Sequence, residues 1–151
     1  MGAVVFHDLQ HDRRNDFNFN LDDIVQFEGE TGPYVQYTRA RALSILKKAG
    51  VNPNDFTGEM KLSLSDSYSW SVIKLIQSFS DVLRRAYREY EPSIIAKHAL
   101  SLAQAFNRFY ANVRVLDESP ERESRLALAY AVALMLEEDL RLLGVQAPDE
   151  M

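Results

Sequence analysis

Apolar positions recur at three- and four-residue steps along most of this chain, the spacing of one face of a helix. Over residues 33 to 49, Val35, Thr38, Ala42, Ile45, Leu46 and Ala49 share one arc. Tyr34, Tyr37, Arg41, Ser44 and Lys48 share the adjacent arc. Thr31-Gly32-Pro33 supplies the start of this helix, because the missing N–H of proline costs nothing in a first turn, and Gly50 supplies the stop. Upstream, Asn20 is an N-cap with Asp22 and Asp23 in the first turn, predicting a short helix that ends at Gly29. A longer pattern begins near Ser69 with Trp70, Ile73, Ile76, Phe79, Leu83, Ala86 and Tyr90 on its apolar stripe; Phe79-Ser80-Asp81 is its natural break, and Glu91-Pro92 ends it. Pro92 opens a helix carrying Ile95, Ala99, Leu102, Phe106, Phe109 and Val113. Ser119-Pro120 opens the last, which runs through Leu128, Val132, Met135, Leu136, Leu140 and Leu143 to Gly144.

The remaining segments are of other kinds. Residues 2 to 20 hold β-prone pieces, GAVVFHDL and FNFN, around a polar hinge, and predict a short extended or β-like arm. Residues 51 to 68, with Pro53 and Gly58, read as a loop, and VQAPDEM trails off after Gly144. The expected fold is all-α: a bundle of about five helices whose short connections favour antiparallel neighbours.

Composition narrows the chemistry. A chain of 151 residues that is 46% hydrophobic builds one domain with its own core. It has no cysteine, so disulfides and thiolate metal sites are excluded. The expected location is cytoplasmic: residues 1 to 20 lack the apolar stretch of a secretory signal, and no apolar run is long enough to span a bilayer. His7 and His11 are four apart, yet they lie in the β-prone arm without a second ligand cluster, and His98 falls in a helical region and reads as packing or surface. No glycine-rich phosphate loop occurs. Glu137-Glu138-Asp139 reads as the solvated face of the last helix.

The formal charge of -5 hides an asymmetry. Residues 31 to 54 carry Arg39, Arg41, Lys47 and Lys48 and no acid, a local +4; residues 114 to 151 carry four arginines against nine acids, a local -5. Local field rather than the total steers a charged partner. Two readings of the first basic helix follow. Tyr34 and Tyr37 can fill the edge of the core beneath solvated cations, or the rings and cations can form a nucleic-acid face, where unpaired bases stack on the rings and cations hold phosphates.

The segment FEGETGPYVQYTRARALSILKKAG resembles the opening of the C-terminal domain of arginyl-tRNA synthetases of bacterial type. GAVVFHDL and RRNDFNFNLDDIVQF are similar to the stretch that joins that domain to the catalytic core. AFNRFY, RLALAYAV and LRLLGVQAPDEM resemble the family's final helices and ending. The resemblance covers almost the whole chain in order. It departs from the family only at the name-giving DALR segment, matched loosely by Ser124-Arg125-Leu126-Ala127-Leu128. It implies a junction over residues 1 to 20 and a DALR helical anticodon-binding domain over residues 21 to 151. It further implies that the intact enzyme joins arginine to tRNA-Arg using ATP and Mg²⁺. The HIGH- and KMSKS-like motifs of its catalytic domain do not occur here, so the chain alone is expected to need no cofactor and to be non-catalytic. The implied partners are the tRNA-Arg anticodon stem-loop and the enzyme's own catalytic domain, with no membrane and a monomeric state. Bases, chiefly the central cytosine, would be splayed from their stack and read by Tyr37, Arg41, Phe106, Tyr110 and Met151. Arg39, Lys47, Lys48, Arg84, Arg85 and Arg108 would touch phosphates. A stand-alone helical protein-interaction module, using the same aromatic face for a partner helix, is the alternative.

Overall fold

Three side chains start helices by accepting an otherwise unpaired backbone N–H: Asn20 from Asp22 at 3.1 Å, Thr31 from Tyr34 at 3.2 Å and Asp66 from Ser69 at 2.7 Å. In the computed structural model, which describes residues 1–56 and 61–151, the helices are α1 (Gly2–Gln10), α2 (Leu21–Ile24), α3 (Gly32–Ala49), α4 (Ser67–Gln77), α5 (Phe79–Glu89), α6 (Ser93–Asn112) and α7 (Arg122–Leu142), with a 3-10 turn at Pro53–Asp55. No strand occurs among the described residues. Gly58, one of the two markers of the predicted loop, lies outside them. Gly50 closes α3 in the left-handed conformation, φ 67°, where a side chain would be strained.

The all-α bundle predicted above is therefore the fold, and α6 is its centre. It packs against α1, α3, α4, α5 and α7. Ala99, Leu102, Ala103, Phe106 and Phe109 of α6 meet Val35, Ile45 and Leu46 of α3 and Val132, Leu136 and Leu140 of α7 in one buried cluster. The apolar arc expected for α3 is the face it buries.

Three expectations change. The arm is not extended over its first part: residues 2 to 10 form α1, and Phe6 is fully buried in the common core. Gly32 lets it approach, since a Cβ there would stand 2.8 Å from that of Phe6. Burial of this ring outweighs the weak β preference of Val4 and Val5. The 69–91 stripe holds only in part, with Ile73, Ile76 and Ala86 against the core. Ser69, Val72 and Ala86 are buried, whereas Trp70 is 49% exposed and Leu83 and Tyr90 face solvent. A break at Ser78 divides α4 from α5, and Tyr90 ends α5 in the left-handed region at φ 51°. Finally, the acid run on α7 is not a uniform solvated face, because Asp139 is completely buried.

Asp139 is paired with the buried His98. His98 Nδ1 lies 2.7 Å from Asp139 Oδ2, and Nε2 lies 2.9 Å from the Leu75 carbonyl near the end of α4. Both ring nitrogens thus face acceptors, and only the doubly protonated imidazole donates from both. Burial opposes charge on the ring, but the hydrogen bond and charge of Asp139 outweigh it and raise the His98 pKa above its ordinary value. Burial also draws the Asp139 carboxyl upward, against the pull of His98. Both shifts mean that the folded chain binds protons more tightly than the unfolded one.

The pair should make stability depend on pH. A raised histidine contributes in full below its unfolded pKa of about 6.5, and the contribution fades as the pH rises through the higher folded value. Thermal unfolding from pH 5.5 to 9 should therefore show a midpoint that falls with rising pH. That component should vanish when His98 and Asp139 are both replaced by leucine. Side-chain burial makes a separate prediction: Phe109→Ala should cost about 3–5 kcal/mol in denaturant titration, and the half-exposed Trp70→Ala less than about 2 kcal/mol.

Candidate functional site

The first turns of α3 direct Tyr34 inward and Tyr37 and Arg41, at i and i+4, outward on one side. The Arg41 Cζ sits 4.7 Å from the centre of the Tyr37 ring, a cation–π arrangement. One Arg41 nitrogen, Nη2, donates to the Tyr37 hydroxyl at 3.3 Å; the other, Nη1, donates to Asn107 Oδ1 on α6 at 2.7 Å. Asn107 in turn donates from Nδ2 to the Tyr34 hydroxyl and to Thr38 Oγ1, both at 2.9 Å. Phe27, from the segment before α3, meets the Tyr37 ring edge-on at 6.2 Å.

Beside this group lies an open cleft of about 500 Å³. Tyr37, Arg41, Lys47 and Lys48 line it from α3, Tyr110 from the end of α6, and Met151 from the C-terminal segment. Its apolar part comes from Ala40, Leu43 and Ile45. Rings, an aliphatic wall and cations thus converge on one concavity that can take a planar apolar group with an anion next to it.

The C-terminal segment does not trail off. Gln36 Nε2 donates to the Gln146 carbonyl at 2.7 Å. Arg39 is only 4% exposed. From Nη1 it donates to the carbonyls of Ala147 and Pro148 at 3.0 and 2.8 Å and to Asp149 Oδ1 at 2.9 Å; Nη2 donates to Glu137 Oε2 on α7 at 2.9 Å. Lys47 closes the row with a 2.9 Å pair to Glu150, whose carboxylate raises the lysine pKa.

The expected site residues divide accordingly. Tyr37, Arg41, Tyr110, Met151, Lys47 and Lys48 come together at the cleft. Phe106 does not: it is fully buried and packs 6.0 Å from Phe109, so it presents no face to a base. Arg39 is held inside the protein and offers no phosphate contact in this arrangement. Arg84 pairs with Asp81 and Arg85 with Glu89 on α5. Arg85 lines a second cleft beside Ser93, and α6 separates Ser93 from Tyr110 by about 25 Å. Arg108 is exposed on α6 and does not line the main cleft. Asn107 was missed, although a polar residue inside AFNRFY on a helix with a buried stripe has to find partners.

The DALR anticodon binding domain model matches residues 35–151. The chain belongs to the DALR anticodon binding domain family. It is 58% identical over all 151 residues to an arginine–tRNA ligase of Enterococcus faecalis, and 55% identical over the same length to one of Pediococcus pentosaceus. In each case it spans 26% of the relative's length. Among solved structures, the arginyl-tRNA synthetase of Thermus thermophilus superposes with a TM-score of 0.86 at 34% identity, and that of Plasmodium falciparum with 0.89 at 28%; each match covers 99% of this chain and 26% of the other. The all-α bundle is thus the DALR fold, with the cleft between its α3, the end of α6 and its last residues. None of its helices is long and apolar enough to cross a membrane.

Arg39→Ala should free the C-terminal segment of this DALR domain and leave Glu137 and Asp149 without their cation. The expected loss is about 1–3 kcal/mol in urea unfolding, because the carboxylates left behind stay in contact with water, with faster proteolytic trimming after Gly144. Arg39→Lys should recover little, since one ammonium cannot span the same set of acceptors.

Proposed function

We propose that this chain is the anticodon-binding part of an arginine–tRNA ligase and that the cleft between α3, α6 and the C-terminal segment receives unpaired anticodon bases. The observation that carries the reading is the convergence of Tyr37, Arg41, Tyr110 and Met151 with Lys47 and Lys48 around one cleft, in a DALR domain whose relatives are named arginine–tRNA ligases. Base-specific RNA recognition targets loops whose bases can be splayed out and stacked on aromatic rings or guanidinium planes. Tyr37 and Tyr110 supply the rings, Arg41 the guanidinium, Met151 an adaptable apolar wall, and the lysines the phosphate contacts. On this reading residues 1–20 join the domain to the catalytic portion of a monomeric, cytoplasmic ligase. ATP and Mg²⁺ belong to that portion, and no chemical step runs through the residues described here.

Titration of the chain with a fluorescent tRNA-Arg anticodon stem-loop tests this. Binding should weaken steeply with salt, and a change of the central loop base should weaken it more than a change of a stem pair. Tyr37→Ala and Arg41→Ala should each reduce affinity by about tenfold, in line with roughly 1–3 kcal/mol for a stacked base, while leaving the thermal midpoint near that of the parent. Equal binding to any hairpin would reject base reading, and capture of a partner helix at the cleft in place of RNA would favour a protein-interaction module.

A further inference from the structure

We propose that Asn107 is a positioning residue for base reading: its amide holds the Arg41 guanidinium over the Tyr37 ring before RNA arrives. The inference rests on the anticodon-binding reading above and concerns how the cleft discriminates.

The hydrogen-bond arrangement has one solution. The Thr38 hydroxyl donates to the Tyr34 carbonyl at 2.9 Å, so its only proton is committed to the helix backbone. Its oxygen, fully buried, is left to accept. Asn107 Nδ2 supplies that donor and a second one to the Tyr34 hydroxyl. The amide is thereby oriented, and Oδ1 points at Arg41 Nη1, 2.7 Å away. Reversing the amide would set its NH₂ against the guanidinium, donor to donor.

The consequence falls on Arg41. A surface arginine loses much of its rotamer freedom when it is fixed. Here Asn107, the Tyr37 ring and the Tyr37 hydroxyl fix it in the free domain. Two of its five N–H donors are engaged, and the other three remain for acceptors on a base or phosphate. A group ordered beforehand binds with less entropic loss and in one geometry, which is what distinguishes the hydrogen-bonding edge of one base from another. Asn107 itself touches no ligand in this account.

The test uses the whole chain, the parent tRNA-Arg anticodon stem-loop and one with its central loop base changed. Asn107→Ala should lower affinity for the parent RNA by about tenfold, the range for a hydrogen bond to a charged group, and affinity for the changed RNA much less, so the discrimination ratio falls toward one. In the free protein the Arg41 Nε–H NMR signal, resolved in the parent chain, should broaden or average. Asn107→Asp made together with Thr38→Val, which removes the acceptor that a carboxylate could not meet, keeps an acceptor for Arg41, so it should retain the ordered signal and most of the ratio even where absolute affinity drops. Should Asn107→Ala prove too unstable, the Asn107→Asp, Thr38→Val pair still decides: loss of both signal and ratio would overturn the inference. So would a uniform loss toward both RNAs in Asn107→Ala, or an unchanged ratio, while the parent chain discriminates. If the parent chain itself fails to discriminate, the proposed function falls and this inference with it.

Discussion

A guanidinium taken out of water must find acceptors, and Arg39 finds them on two separate parts of the chain. It leaves α3, reaches Glu137 on α7 and gathers the Ala147 and Pro148 carbonyls and the Asp149 carboxylate of the last residues. A buried charge stripped of its partners is among the costliest defects a fold can carry. The same requirement that pairs the two terminal nitrogens of Arg39 therefore keeps the C-terminal segment along α3. Met151 lines the cleft because the segment is held there. The concavity is thus a product of a buried ion cluster on its far side.

The electrostatics of the cleft follow from this arrangement. An acidic protein presents cations there because residues 31 to 54 contain no acid, yet the pinned segment returns Asp149 and Glu150 to the same rim. Asp149 is turned toward Arg39 and Glu150 toward Lys47. The Lys47–Glu150 pair is open to water, so it is weak and screened by salt. On the proposed reading an arriving phosphate would replace the carboxylate at Lys47, whereas the Arg39 guanidinium is buried and out of its reach. The two kinds of ion pair differ in their cation: a buried one that holds the wall at Arg39 and an exposed one at Lys47.

Much of this was legible in the sequence. The capped start of α3, its glycine stop and its two arcs follow from local rules, since capping and helical spacing involve residues within a turn of one another. The arc holding Tyr37 and Arg41 is also a side of α3 that lines the cleft. The position of Phe106 was less legible. Phe106 and Tyr110 are four apart on one helix, but which of two rings faces a neighbour and which faces open space depends on where α3 and the last residues lie. The acid run on α7 misled for a similar reason. Asp139 reads as solvated until His98, 41 residues earlier, is brought within 2.7 Å of it.

The sequence by itself determined the helical class, most helix boundaries, the family resemblance and the supply of rings and cations on one face of α3, because each depends on contacts over a few residues or on residue identity alone. Only the tertiary structure decided that α1 belongs to the core, that Arg39 is a buried anchor, that Asn107 orients Arg41, and that Tyr110 and Met151 meet across one cleft. Those outcomes depend on partners far apart in the chain, 108 residues for Arg39 with Ala147 and 66 for Arg41 with Asn107. Desolvation sorts such pairings: polar groups are buried only where the packed helices bring their acceptors to them, and no local pattern records which helices those will be.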